Sequence, residues 1–179
     1  MSLKRNAGFT LIEVIVVAGI IAILAGILVP MILKEIDESR ITRATADTRS
    51  ISTAMIVFKK DTAQWPVMDD GCDPNVTFLQ GAGNFPSGVA EAGFDTSVMS
   101  SYDSHFSTDV NDCYSPNWKG PYMAMVTADP WGNRYMTNAN SFAVAGQPLW
   151  IISAGPNGNL DTAANSTTLQ GDDIGLRMK

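Results

Sequence analysis

Apolar residues are crowded into one stretch of the chain. Residues 9–33 read FTLIEVIVVAGIIAILAGILVPMIL and hold a single ionisable side chain, Glu13. As a helix this stretch extends about 37 Å at roughly 1.5 Å per residue, enough to cross a hydrocarbon layer of about 30 Å. It predicts a transmembrane helix over residues 9–33. Lys4 and Arg5 precede it, whereas Lys34, Glu35, Asp37 and Glu38 after it nearly cancel, so the cation bias puts the N-terminus in the cytoplasm and the remainder outside. Beyond residue 33 the apolar pattern becomes periodic. Ile36, Ile41, Ala44, Thr48, Ile51, Met55 and Phe58 recur at intervals of three to five, which predicts an amphipathic continuation to about Lys60 within a helical region 34–64. A helix with one apolar stripe needs a cover, and an antiparallel sheet from the later sequence is the economical one.

Trp65-Pro66 ends the helical pattern, because the residue before a proline is pushed out of helical angles. Residues 65–120, rich in Gly, Ser, Asp, Asn and Pro, read as a long connecting loop of the kind that is functional or tied down. Then PYMAMV, RYMTN, SFAVA and PLWIIS alternate with the turn signals DPWGN, AN and GQ, predicting a small antiparallel sheet within 121–153. In DPWGN, Pro130 and Gly132 make a tight turn and Trp131 is expected on the helix stripe. Met55, Met123, Met125 and Met136 are expected in the core. Residues 154–179 read as a C-terminal loop, flexible unless clamped. The fold class is α+β, with residues 34–179 as one globular domain.

Composition sharpens this picture in three ways. Charged residues are 17% of the chain, below the roughly 25% of soluble proteins, as a membrane segment requires. The formal charge is -6, and no basic run interleaved with aromatics could follow a phosphate backbone, so nucleic acid is not an expected partner. Cys72 and Cys113 form no metal-binding spacing. A single disulfide tying the long loop in an oxidising compartment is the plain reading, two buried thiols the other. The lone His105 has no neighbouring nucleophile or second ligand and is assigned no role. No small-residue signal cleavage site follows Leu33, so the apolar segment is expected to remain in the mature protein.

The segment KRNAGFTLIEV resembles the processing signal of the type IV pilin superfamily. The resemblance implies a leader of residues 1–8, cleavage between Gly8 and Phe9 by a prepilin peptidase, and N-methylation of Phe9. Losing Lys4 and Arg5 takes the formal charge from -6 to -8. A carboxylate within a membrane helix costs about 2.5 to 3.5 kcal/mol and calls for a partner. The resemblance supplies one, since Glu13 is expected to reach the Phe9 amine of a neighbouring subunit and set axial register. Pro30 lacks a backbone donor and clashes with the preceding turn. A kink or local melting is expected there, either to lengthen the subunit during assembly or as an ordinary bend.

The segments ADPWGNRY, ISAGPNGN and GDDIGL resemble the C-terminal half of the major pseudopilin of type II secretion systems. In that family this loop holds calcium, a hard cation that takes six to eight oxygens. The implied ligands are Asp172 and Asp173, with Asn157, Asn159, Asp161 and the Ala154 carbonyl. Asn157 stands where the family often has aspartate, and the stretch TAANSTTLQ is extra, so a solvated acidic turn is the alternative. The implied function is non-enzymatic, that of a periplasmic pseudopilus subunit driving protein export. Its implied partners are further copies of itself, minor pseudopilins, an inner-membrane platform protein and the prepilin peptidase. A type IV pilin or minor pilin of a surface appendage for adhesion, motility or DNA uptake is the alternative. A membrane-tethered enzyme would need a Ser-His-Asp, Cys-His or paired-carboxylate pattern, and the sequence outside the loop offers none.

Overall fold

A computed structural model describes residues 9–179. A single long helix, α1, runs from Leu11 to Thr62. The chain divides into two compact units, the first ending at Ser39 and the second spanning Arg40–Lys179.

Within the first unit every described residue is exposed, and α1 is the helix among the described residues that is long and apolar enough to cross a membrane. The helix continues through Pro30 without interruption, so the expected local melting is not seen. One missing donor is tolerated because the turns on both sides keep their own ladder.

In the second unit α1 buries Ala44, Thr48, Ile51, Ser52, Ala54, Met55, Phe58 and Thr62. The predicted stripe starts too early. Ile36 and Ile41 are both 43% exposed, and the cover on the stripe reaches no further than Ala44. The helix stops where Ala63 turns left-handed at φ 61°, with the Lys59 ammonium donating to the Ala63 carbonyl at 2.6 Å.

Five short strands form one sheet: β1 (Phe78–Gln80), β2 (Met99–Ser101), β3 (Met136–Thr137), β4 (Trp150–Ser153) and β5 (Ile174–Arg177). Their order is β2-β1-β3-β4-β5. The sheet is mixed rather than antiparallel, because β1 and β2 pair in parallel while β3, β4 and β5 follow antiparallel. Both parallel strands come from the region read as a loop, which also holds a short helix α2 (Asp103–Phe106). Three residues give no alternation to detect.

Two predicted strands are absent. In PYMAMV the Val126 amide donates to Asp103 Oδ1 at 2.9 Å and the Tyr122 amide to the Phe106 carbonyl at 2.7 Å, so its backbone is spent on α2. In SFAVA the chain makes a 3-10 turn at Ala139–Phe142. Buried Asn138 directs it, accepting from the Trp150 amide and donating to Ser141 Oγ and the Pro148 carbonyl, each at 2.8 Å; such side chains compete with a ladder for backbone groups. The tail is not free, since β5 pairs along the whole of β4.

Alternate strand residues serve two cores. Leu79 and Ile151 face the α1 cluster, in which Phe58 meets Tyr114, Tyr122 and Phe106 edge-on at 4.7, 5.4 and 5.9 Å. Phe78, Trp150 and Ile152 face a second cluster with Val89, Phe94, Met136, Ala154 and Leu160. Trp131 is half-buried and lies outside the α1 cluster; Val126 and Tyr135 take the place expected of it. Met55 and Met136 are buried, but Met125 is 57% exposed. Cys72 and Cys113 are joined in a disulfide across a sequence separation of 41.

Candidate functional site

Two regions carry the residues that the sequence singled out. The first is the start of α1. Gly8 and the rest of the leader, and so the cleavage point, lie outside the described residues. At Thr10 the hydroxyl and the backbone N–H both donate to Glu13 Oε2, at 2.7 and 2.8 Å, and the Glu13 amide donates back to Thr10 Oγ1 at 3.3 Å. This is a reciprocal capping box. It gives Glu13 donors from its own turn and makes Thr10 part of the site. The signal for it, T-x-x-E at the head of an apolar helix, is present in the sequence.

The second region is the loop that leaves β4. Gly155, Gly158 and Gly171 take φ of 64, 69 and 60°, angles that a Cβ disfavours. Any side chain at Gly171 would strike the Asp161 carboxylate, and one at Gly155 the Asp172 carbonyl. Asn157 links two of the acids. Its amide N–H donates to Asp172 Oδ2 at 3.0 Å and its side-chain Nδ2 to Asp161 Oδ2 at 3.1 Å. Asn159 Nδ2 donates to Asp161 Oδ1 at 2.6 Å. Asp173 Oδ2 accepts from the amides of Asp161 and Thr162, at 3.0 and 2.6 Å. Asn157, Asn159, Asp161, Asp172 and Asp173 thus form one connected network, while Ala154 is buried at its base.

Two atoms of this network are left over. Asp172 Oδ1 and Asp173 Oδ1 are buried without a hydrogen-bond partner, and burial pushes the Asp173 carboxyl above its ordinary range. Orphaned carboxylate oxygens fit a hard cation. Against a full cage, no three His, Cys, Asp or Glu side chains among the described residues are placed to hold one metal ion. The orphaned pair carries more weight for a cation that also takes backbone oxygens; both oxygens of Asp161 accept from asparagine side-chain amides.

Comparison with known proteins decides the family. Residues 3–29 match the prokaryotic N-terminal methylation motif, and residues 105–171 match protein G of the type II secretion system. A type II secretion system core protein G of Pseudomonas aeruginosa is 28% identical over 136 residues, 75% of each chain. That of Aeromonas hydrophila is 28% identical over 163 residues, 90% of this chain and 91% of its own. The Escherichia coli protein of the same name is 24% identical over 164 residues, 91% and 90% of the two chains. The chain belongs to the type IV pilin superfamily, as a major-pseudopilin type. No solved structure matches it significantly.

In this pseudopilin the C-terminal loop is braced from both sides. Asp129, 4% exposed, accepts from the Trp131 and Asn133 amides at 3.0 and 2.8 Å through one oxygen and from Ser153 Oγ at 2.6 Å through the other. Ser153 Oγ accepts in turn from the Gly155 amide at 3.2 Å. The DPWGN turn is therefore fastened to the first residues of the loop. On the other side, residues 84–92 lie along it. The Ser87 amide donates to the Gly158 carbonyl at 3.1 Å, the Leu160 amide to Ser87 at 2.9 Å and the Ala164 amide to Ala92 at 2.8 Å. This strap lies between the two matched regions, and no pattern in its sequence announces it.

His105 of the pseudopilin is buried and structural. Its Nε2 lies 3.1 Å from Ser100 Oγ and its Nδ1 3.1 Å from the Tyr114 hydroxyl. The Met68 amide donates to that hydroxyl at 3.0 Å, so both ring nitrogens and the phenol are engaged in the interior. Burial lowers the His105 pKa to about 4.

Proposed function

We infer that this chain is the structural subunit of a periplasmic pseudopilus that polymerises from the inner membrane and drives protein export by type II secretion. The observation that carries this is the union, in one chain, of a membrane-length helix headed by the Thr10–Glu13 box with a globular unit that matches protein G. The N-terminus starts in the cytoplasm and the globular unit lies in the periplasm. After the cut between Gly8 and Phe9, the methylated Phe9 amine is a cation placed for Glu13 of an adjacent copy. Apolar stems then pack side by side, as their exposed Val, Ile and Leu side chains require outside lipid. Pro30 leaves a weak point in the ladder where the stem adapts on leaving the membrane.

The partners of this reading are further copies of the chain, minor pseudopilins at the tip, the inner-membrane platform protein and the prepilin peptidase. It is not an enzyme, in keeping with its likeness to the core protein G of type II secretion systems. A surface pilin is disfavoured, since the related proteins named above are all core protein G. Calcium belongs to the same proposal. Its ligands would be Asp172 and Asp173 with carbonyls at the base of the loop, that of Ala154 among them, and bound there it would supply the positive charge their orphaned oxygens lack.

Deleting the gene and restoring it is the test of function. Cargo should accumulate in the periplasm of the deletion strain and be exported again on complementation, with short periplasmic filaments seen by microscopy. Normal export without the chain, or filaments found only as long surface appendages, would sink the reading.

A further inference from the structure

The asparagines of the C-terminal loop divide the labour differently from the acids. Asn157 Oδ1 accepts from the Asn159 amide at 2.6 Å, so its Nδ2 is turned to Asp161 Oδ2 at 3.1 Å. Asn159 Oδ1 faces Ser87 Oγ at 3.1 Å, so its Nδ2 is turned to Asp161 Oδ1 at 2.6 Å. Each amide is fixed at both ends, and each oxygen of Asp161 receives one amide. To ligate a cation, an asparagine must offer it Oδ1, and both of those oxygens are engaged elsewhere. Gly171 packs against the same carboxylate where a Cβ would collide, closing it off further. Asp172 Oδ1 and Asp173 Oδ1 stand in contrast, buried without a partner, with Asp173 as a whole 7% exposed.

We propose that Asn157 and Asn159 are fixed donors that neutralise Asp161 in place of a cation, so that this loop closes on its own hydrogen bonds and leaves only Asp172 and Asp173 open to an ion. The claim rests on the calcium-type reading of the loop for its second half alone. The strap is the third party. Ser87 reaches in from residues 84–92 and sets the orientation of Asn159, which ties this segment to the charge balance of the loop. Asn157→Asp replaces a donor by an acceptor 3.1 Å from Asp161 Oδ2. Three carboxylates, Asp161, Asp172 and the new one, would then crowd one turn, and that turn would need a cation to close.

The test uses the full chain in detergent micelles, melted in calcium or in chelator. In chelator, Asn157→Asp should melt at least about 3 °C below the parent, the scale of a lost charge-assisted hydrogen bond in a protein of this size. Calcium should then raise the variant by more than it raises the parent. Asn159→Ala, which removes one donor without adding charge, should also melt lower in chelator, and it serves if Asn157→Asp does not fold. Both variants melting with the parent in chelator overturns the proposal whatever calcium does. Lower melting in chelator with no calcium response in any protein leaves the donors confirmed and removes the calcium reading instead.

Discussion

The Tyr135 hydroxyl donates to Asp47 Oδ2 at 2.8 Å, joining the sheet side of the globular unit to α1. Asp47 also lies 3.6 Å from Arg43 Nε, one turn back. Tyr135 is 1% exposed, and burial, with Asp47 beside it, raises its phenol far above the usual range, so the hydroxyl stays a donor throughout. Tyr135→Phe should cost about 1 to 2 kcal/mol, because Asp47 keeps Arg43 and some water. Asp47→Ala should cost more, since it strands a buried hydroxyl. Chemical denaturation of both variants and their double mutant gives the coupling; a double mutant no worse than Asp47→Ala alone is expected, and additive losses would show the pair to be uncoupled.

Acid should loosen the region around α2. The His105 pKa of about 4 is depressed, so the folded state resists a proton that the unfolded chain takes near pH 6.5. Stability from this residue is complete above pH 6.5 and falls as pH drops to about 4, by about 3 kcal/mol in all. Below that it falls no further on this account. His105→Gln should flatten the slope of stability between pH 6.5 and 4. An unchanged slope would locate the acid sensitivity among the carboxylates instead.

The disulfide is expected to matter because the region it ties is structured. With a sequence separation of 41 between the cysteines, the chain-entropy estimate is about 4 kcal/mol. The paired Cys72→Ser and Cys113→Ser variant should therefore show a large fall in unfolding free energy, and native-state hydrogen exchange should rise first in β2 and α2. Equal stability of parent and variant would mean that the Phe58 cluster holds those elements unaided.

What was legible in the sequence follows from signal length. α1 declares itself through a 25-residue, largely apolar stretch and then a repeating stripe, and each turn of it adds evidence. Strands of two to four residues, such as β1 and β3, are too short for a period to register, and where two expected strands are absent Asp103 and Asn138 bind the backbone of Val126 and of Pro148 and Trp150 instead. The acids of the C-terminal loop were visible as chemistry. Their hydrogen bonding was not, because Ser87 and Asn159 are 72 residues apart and nothing local marks one as the other's partner. The Thr10 cap was written in the sequence as T-x-x-E and lay hidden behind the stronger meaning of Glu13.

That cap yields the last prediction. Thr10 Oγ1 both donates to Glu13 and accepts from its amide, and in an apolar surrounding an orphaned amide costs several kcal/mol. Thr10→Ala should leave membrane insertion intact, since the apolar residues of the span are unchanged, yet lower filament yield by misplacing the Glu13 carboxylate. Thr10→Ser restores both hydrogen bonds and should restore the yield. Glu13→Ala removes the charge itself and should abolish filaments while sparing insertion. Fractionation of membranes and sheared filaments from these strains separates the steps. Parental filament yield from Thr10→Ala would show that Glu13 finds its neighbour without help from its own turn, and parental yield from Glu13→Ala would remove the carboxylate from assembly altogether.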